Sequence, residues 1–170
     1  AAVGDHLAVV AFKSFLVSDT VSATSGGTFA AAVTIAGGVN VSGSSSFEEI
    51  REKVSVDSTT TGAITHALAT GPAIVFYNVD QTALRMISLT GANAFLDTGQ
   101  STTTVFMFKQ GPTPYYPAAF SIDGTITVPE WQGGSAPTSG NASGIDVYSY
   151  TVIKTANNTF TVFASQTQFA

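Results

Sequence analysis

The sequence predicts an all-β protein: a short glycine-punctuated β stalk, then a β-sandwich (jelly-roll-like) head, assembled as a homotrimer. Composition is the first observation behind this. Of 170 residues, 44% are hydrophobic and 10% charged, against a usual charged share of about 25%. Aromatic and β-branched residues are plentiful, so low charge does not signal disorder. It suits a rigid β structure whose polar face is made of hydroxyls. The second observation is pattern. From residue 54 onward, short β-prone runs are separated by turn residues. The third is thinness. Before residue 45, two candidate strands each offer only two medium-sized apolar groups, which is marginal for a strand pair in water. Symmetric copies of the chain are the economical way to bury such a stripe. Sparse surface charge is also a solubility hazard for a lone subunit.

Residues 1–25 form the first segment. Phe12, Phe15, Leu16 and Val17 are interrupted by Lys13 and Ser14, and a strand pair or a short buried segment is expected. Such short runs do not separate helix from strand. The apolar run Leu7–Phe12 is six residues long, whereas a membrane helix needs about 20. No basic head marks a secretory signal. The chain begins Ala-Ala, which leaves open removal of an initiator Met or a start within a longer chain.

Residues 26–60 are the stalk and connector. Val33-Thr-Ile35 and Val39-Asn-Val41 read as short strands ended by glycine. Alternation puts Val33 with Ile35, and Val39 with Val41, on one face. Ser46 and Glu49 then fit a capping box. Phe47, Ile50 and Val54 fall on one helical face. A helix of two to three turns and an extended connector are both open here. The charges around Glu48 and Arg51 read as a solvated face.

Residues 61–170 are the head. Strands are expected near 63–68, 73–79, 84–90, 103–109, 119–128, 145–154 and 159–164, with breaks such as Gly71-Pro72, Gly91-Ala-Asn93 and Gly133-Gly134. Phe120, Ile122, Ile126 and Val128 alternate with Ser121, Asp123, Thr125 and Thr127, as in one half-buried strand. At 145–154, Ile145, Val147 and Ile153 lie on one face and Tyr148, Tyr150 and Val152 on the other. That strand is either central or covered by a neighbouring chain.

Several chemistries find no support. The net charge is −5, and the six basic residues are scattered, whereas nucleic-acid binding needs clustered Lys and Arg. There is no Cys, which removes disulfides, thiolate metal sites and a Cys nucleophile. His6 and His66 lie sixty residues apart with no ligand at metal spacing. No G-x-S-x-G elbow and no phosphate-binding glycine loop occurs. Glycan hydrolysis needs two carboxylates about 5–10 Å apart, and nothing in the spacing of Asp97, Asp123, Glu130 and Asp146 pairs them. Asp123, before Gly124, is a turn residue by type. Sequons at Asn40, Asn141 and Asn157 are no more than so much Ser and Thr gives by chance. No enzymatic activity, cofactor or metal is expected.

The candidate receptor-binding residues are Tyr115, Tyr116 and Trp131. The tyrosines sit in the proline-stiffened stretch Gly111-Pro-Thr-Pro-Tyr-Tyr-Pro117, and Trp131 is the only Trp. Exposed Tyr and Trp bring large contact area at low entropy cost. The alternative packs them inside the sandwich or between chains.

A local signature adds to this. The segment Trp131-Gln-Gly-Gly-Ser-Ala-Pro137 is joined by Gly38-Val-Asn-Val-Ser-Gly43, Glu52-Lys-Val54, Gln110-Gly111 with Tyr115-Tyr-Pro117, Phe120-Ser-Ile-Asp-Gly124 and Ile145-Asp-Val-Tyr148. Together these motifs resemble the C-terminal domains of tailed-phage fibre proteins, especially fibre-like structural proteins of marine and cyanobacterial phages. The resemblance spans roughly residues 26–170 and is strongest over 107–170. It implies a virion structural protein, often trimeric, with a β stalk and a sandwich head. The expected role is host-surface attachment of the tail-fibre or adhesin kind; the alternative is an architectural capsid-decoration or baseplate protein without receptor contact. Expected partners are further copies of the chain, other virion proteins through residues 1–25, and a host-surface glycan or protein. Neither nucleic acid nor membrane insertion is expected. The expected location is the virion, on the tail, baseplate or capsid surface.

Overall fold

A computed structural model describes Val33 and residues 43–170. Residues 48–170 group into one unit and residues 1–47 into another; the elements below all belong to the first of these. The attachment segment at 1–25, His6 and the stalk strands at 33–35 and 39–41 lie outside the described residues, Val33 excepted.

The unit is all-β with two sheets. Its strands are β1 (Val54–Asp57), β2 (Ile64–Ala67), β3 (Ile74–Tyr77), β4 (Arg85–Thr90), β5 (Ser101–Lys109), β6 (Pro117–Ile122), β7 (Thr125–Ile126), β8 (Glu130–Trp131), β9 (Ile145–Ala156) and β10 (Thr159–Phe169). One four-residue helix, α1 (Ala92–Phe95), lies between β4 and β5. The six-stranded sheet runs β1-β3-β5-β9-β10-β8, and the four-stranded sheet β2-β4-β6-β7.

Jelly-roll topology is corrected here. From β1 to β6 the chain alternates between the two sheets, and neighbours within each sheet are parallel: β1 with β3, β3 with β5, β2 with β4, β4 with β6. A jelly roll is antiparallel. Parallel neighbours need a crossover, and here each crossover is a strand of the other sheet, so the chain coils. The connections 58–63, 68–73, 78–84, 91–100 and 110–116 exceed the roughly two to five residues of a hairpin loop. Antiparallel pairing appears between β5 and β9, across residues 110–144, and at two tight turns. Asp123-Gly124 joins β6 to β7, with both residues at positive φ (47° and 82°). Asn157-Asn158 joins β9 to β10.

Two further expectations change. The single strand expected over 119–128 is broken by the Asp123-Gly124 turn, which leaves Ile126 and Val128 exposed. The helix open at 46–54 is not formed. Residues 44–53 carry no regular structure, with Phe47 and Ile50 exposed, because an isolated helix this short is unstable unless its apolar face is buried. Val54–Asp57, counted as connector, is instead the edge strand of the six-stranded sheet.

Both sheets feed one core. Alternation buries Ile64, Val75, Tyr77, Ile87 and Leu89 from the early strands, and Phe106, Phe108, Phe120, Tyr148, Tyr150 and Val152 from the later ones. Rings meet from opposite sheets. Phe120 of β6 stacks on Tyr150 of β9 at 4.7 Å, and His66 of β2 stands edge-on to Phe106 of β5 at 5.5 Å. β9 is central in its sheet, hydrogen-bonded to β5 and β10; Tyr148, Tyr150 and Val152 face the core, while Ile145, Val147 and Ile153 are half-buried on the outer face.

Charged side chains brace the coil from within. The buried Arg85 guanidinium donates to the carbonyls of Gly62 and Thr59 and to Gln81 Oε1, each at 3.0 Å, and lies 4.5 Å over the Tyr77 ring. α1 is held at both ends by distant residues. Its first amides, Ala92 and Asn93, donate to the Asp123 carboxylate at 3.1 and 2.9 Å. Lys154 Nζ donates to the carbonyls of Asn93 and Leu96 at 2.6 and 2.9 Å. A negative group at the start and a positive one at the end suit the helix dipole.

Candidate functional site

Trp131 is placed by backbone pairing. β8 runs parallel to β10, with Trp131 opposite Ala164. The chain then turns sharply through Gly133 and Gly134, at φ 81° and 80°, where a side chain would be strained. The Trp131 ring stands edge-on to Tyr150 at 5.8 Å. It is half-buried, one side against the core and the other open.

A groove of about 210 Å³ opens beside it, lined mainly by Tyr116, Phe120, Ile126, Pro129, Trp131 and Pro137, with Tyr150 at its floor. Trp131 also borders two neighbouring hollows. One carries Gln132, Ser135, Gln166 and Gln168; the other carries Glu130, Ser149, Thr151 and Phe163. The indole therefore presents an apolar surface beside amides, hydroxyls and the exposed Glu130 carboxylate. An aromatic face next to a few oriented polar groups is a common composition for small-ligand sites.

Of the three sequence candidates, the structure brings Tyr116 and Trp131 to the same groove. Tyr115 does not line it. The Tyr115 backbone is fixed instead by Gln110: its amide donates to Gln110 Oε1 at 3.0 Å, and its carbonyl accepts from Gln110 Nε2 at 2.6 Å. Tyr116 packs against the core, and its carbonyl accepts from the Arg85 amide at 3.3 Å.

Below Tyr115 lies a polar network that joins Gln110 and Asp146, from two of the signature motifs, to Asn141 and Gln166. The fully buried Asp146 carboxylate accepts from the Asn141 amide at 3.0 and 3.2 Å, from Gln110 Nε2 at 2.8 Å and from Gln166 Nε2 at 3.4 Å. Burial pushes its pKa above the ordinary aspartate range, and these donors oppose the shift. Gln166 also donates to Tyr148 Oη at 3.0 Å. The tyrosine hydroxyls of Tyr148 and Tyr150 are both driven upward, chiefly by burial. Gly140 closes over this network, where an added Cβ would stand 2.5 Å from Asp146 Oδ2. Parity along β9 was the available signal: Tyr148, Tyr150 and Val152 share their face with Asp146 and Lys154.

The other titratable candidates separate. His66 is buried, its pKa lowered by desolvation. Asp123 holds α1, and Glu130 is exposed on β8. Among the described residues, no group of three or more His, Asp or Glu could hold a metal ion.

Compared with known protein families, with curated proteins and with solved structures, the chain matches none.

Proposed function

We propose that the chain is a phage virion structural protein of the tail-fibre or adhesin kind, a homotrimer whose two sheets form a sandwich head for host-surface attachment. The observation that carries this proposal is the groove at Trp131, where the sequence signature at 131–137 meets Tyr116 beside a half-open indole. The surroundings, amides and hydroxyls with Glu130 as the one charged neighbour in the adjoining hollows, fit a largely uncharged contact surface. Two of the six basic residues, Arg85 and Lys154, are buried and engaged, which speaks against nucleic acid as partner. Repeated heads would multiply weak binding without new contacts. Residues 1–25 would join the chain to other virion proteins. An architectural capsid-decoration or baseplate role is the second possibility, favoured by the packing of Tyr116 and Trp131 against the core.

The test is retention of the full chain on envelopes of candidate bacterial hosts and on an array of their surface polysaccharides. Because Trp131 is the only Trp, its fluorescence reports occupancy of the groove directly. Retention with a shift in Trp131 emission, reduced at least ~10-fold by Trp131→Ala in a folded variant, is the expected result; tenfold corresponds to about 1.4 kcal/mol. No retention on any envelope, or retention indifferent to the substitution, moves the assignment to the architectural role.

A further inference from the structure

We propose that the outer face of the six-stranded sheet is the surface through which copies of this chain associate. A sheet with one face on the core ordinarily turns polar groups outward on the other. This one does not. Strand register aligns Val56, Phe76, Met107 and Val147 in one row across β1, β3, β5 and β9, and Val54, Ile74 and Val105 in the row beside it. All seven are partly or fully exposed, Val56 by 62% and Val54 by 44%. The four-stranded sheet differs. Thr65, Ser88 and Ser121 align across its outer side, continued by the exposed Ile126 of β7, with Ala67 and Thr90 in a second row and Met86 and Ala119 in a third. The same chain, with the same scarcity of charge, thus places mostly hydroxyls and small groups on one outer face, broken by Met86 and Ile126, and two continuous rows of large apolar groups on the other. A contiguous apolar patch of this kind marks an interaction surface.

The occupant that fits is another copy. The two rows carry no charge, and Lys109 at their margin is paired with Asp80 at 2.9 Å. Copies of a chain of net charge −5 can therefore meet here without bringing like charges together. The face is also large enough. Six strands spaced by ~4.8 Å, averaging about seven residues of ~3.3 Å each, give roughly 650 Å² for the whole face, close to the ~800 Å² that each partner contributes to a standard interface; the apolar rows occupy four of the six strands. The inference rests on the self-association proposed above, not on the receptor role.

The chain holds its own probe. It has two methionines, Met86 on the outer side of the four-stranded sheet and Met107 in the centre of the apolar rows, both half-buried in the single chain. Peroxide converts an accessible Met to its sulfoxide, and peptide mass spectrometry reads each site. In assembled full-length protein, Met107 should oxidise several-fold more slowly than Met86, and the difference should vanish on dilution to single chains. Met107→Lys and Val147→Lys, with far-UV circular dichroism unchanged, should sediment as single chains, while Ser88→Lys stays assembled. A single-chain mass at every concentration overturns the proposal, as do an assembly whose two methionines react alike and folded lysine variants that still assemble. If the lysine variants fail to fold, the methionine ratio in the native sequence decides. Protection of Met107 without retention on host envelopes upholds this surface and defeats the receptor role.

Discussion

The Tyr150 hydroxyl is buried with no hydrogen-bond partner among the described residues, while its ring stacks on Phe120 and meets Trp131 edge-on. The ring is what the position uses. Tyr150→Phe keeps the stacking and removes an unpaired polar atom, so thermal unfolding should show a neutral to stabilising change of up to about 1 kcal/mol. Asp146 differs, because every nearby donor points at its carboxylate. Folded Asp146 holds its proton more tightly than the unfolded chain does. Its contribution to stability is complete below the ordinary aspartate pKa of ~3.9 and is lost as pH rises through the raised folded value. Asp146→Asn cannot ionise. Its melting temperature relative to the native sequence should therefore shift in the variant's favour between about pH 4 and pH 7. His66 runs in the opposite sense, its stabilisation lost as pH falls below ~6.5, but it is common to both proteins and cancels in the comparison. Trp131 and Tyr116 could be singled out from the sequence because large aromatics beside Gly and Pro are conspicuous. Gln166 could not, since a lone amide leaves no periodic trace, and Gln110 stood out only as part of the Gln110-Gly111 motif, without its role.

At the scale of elements, the strands were legible and their partners were not. The runs expected at 63–68, 73–79, 84–90 and 145–154 coincide with β2, β3, β4 and β9 to within a few residues, because alternation and Gly or Pro breaks are local. Parallel pairing is not local. It depends on where a crossover lands, and β1 and β3 alternate in the same way whichever direction they pair. Connection length was the one usable sign: Asp123-Gly124 and Asn157-Asn158 are two-residue connections and make hairpins, although the three residues 127–129 join strands of different sheets. The crossovers are held by close fits that can be probed. At Gly71, after β2, an added Cβ would stand 2.5 Å from His66 Cε1 and 2.7 Å from the Ala67 carbonyl. Gly71→Ala should therefore cost about 1–3 kcal/mol in denaturant unfolding. Lys154→Met would leave two carbonyls of the α1 connection without their donor, at a similar cost of about 1–3 kcal/mol. Amide exchange in the variant should rise first between Ala92 and Leu96.

For the whole molecule, the all-β class followed from composition, while the jelly-roll arrangement did not survive the parallel register. The sparse charge that made a lone subunit a solubility hazard has a visible counterpart: the outer face of the six-stranded sheet carries two uncharged apolar rows, while that of the four-stranded sheet carries only Met86 and Ile126 among hydroxyls and small groups. The thin candidate strands before residue 45 are the sequence's reason to expect several copies, and the apolar face within residues 48–170 is an independent reason to expect association. Both support the proposal that copies of the chain join. Sedimentation equilibrium of the full chain at micromolar concentration tests this most directly. The account predicts the mass of three copies, and the mass of one copy throughout the concentration range would contradict it.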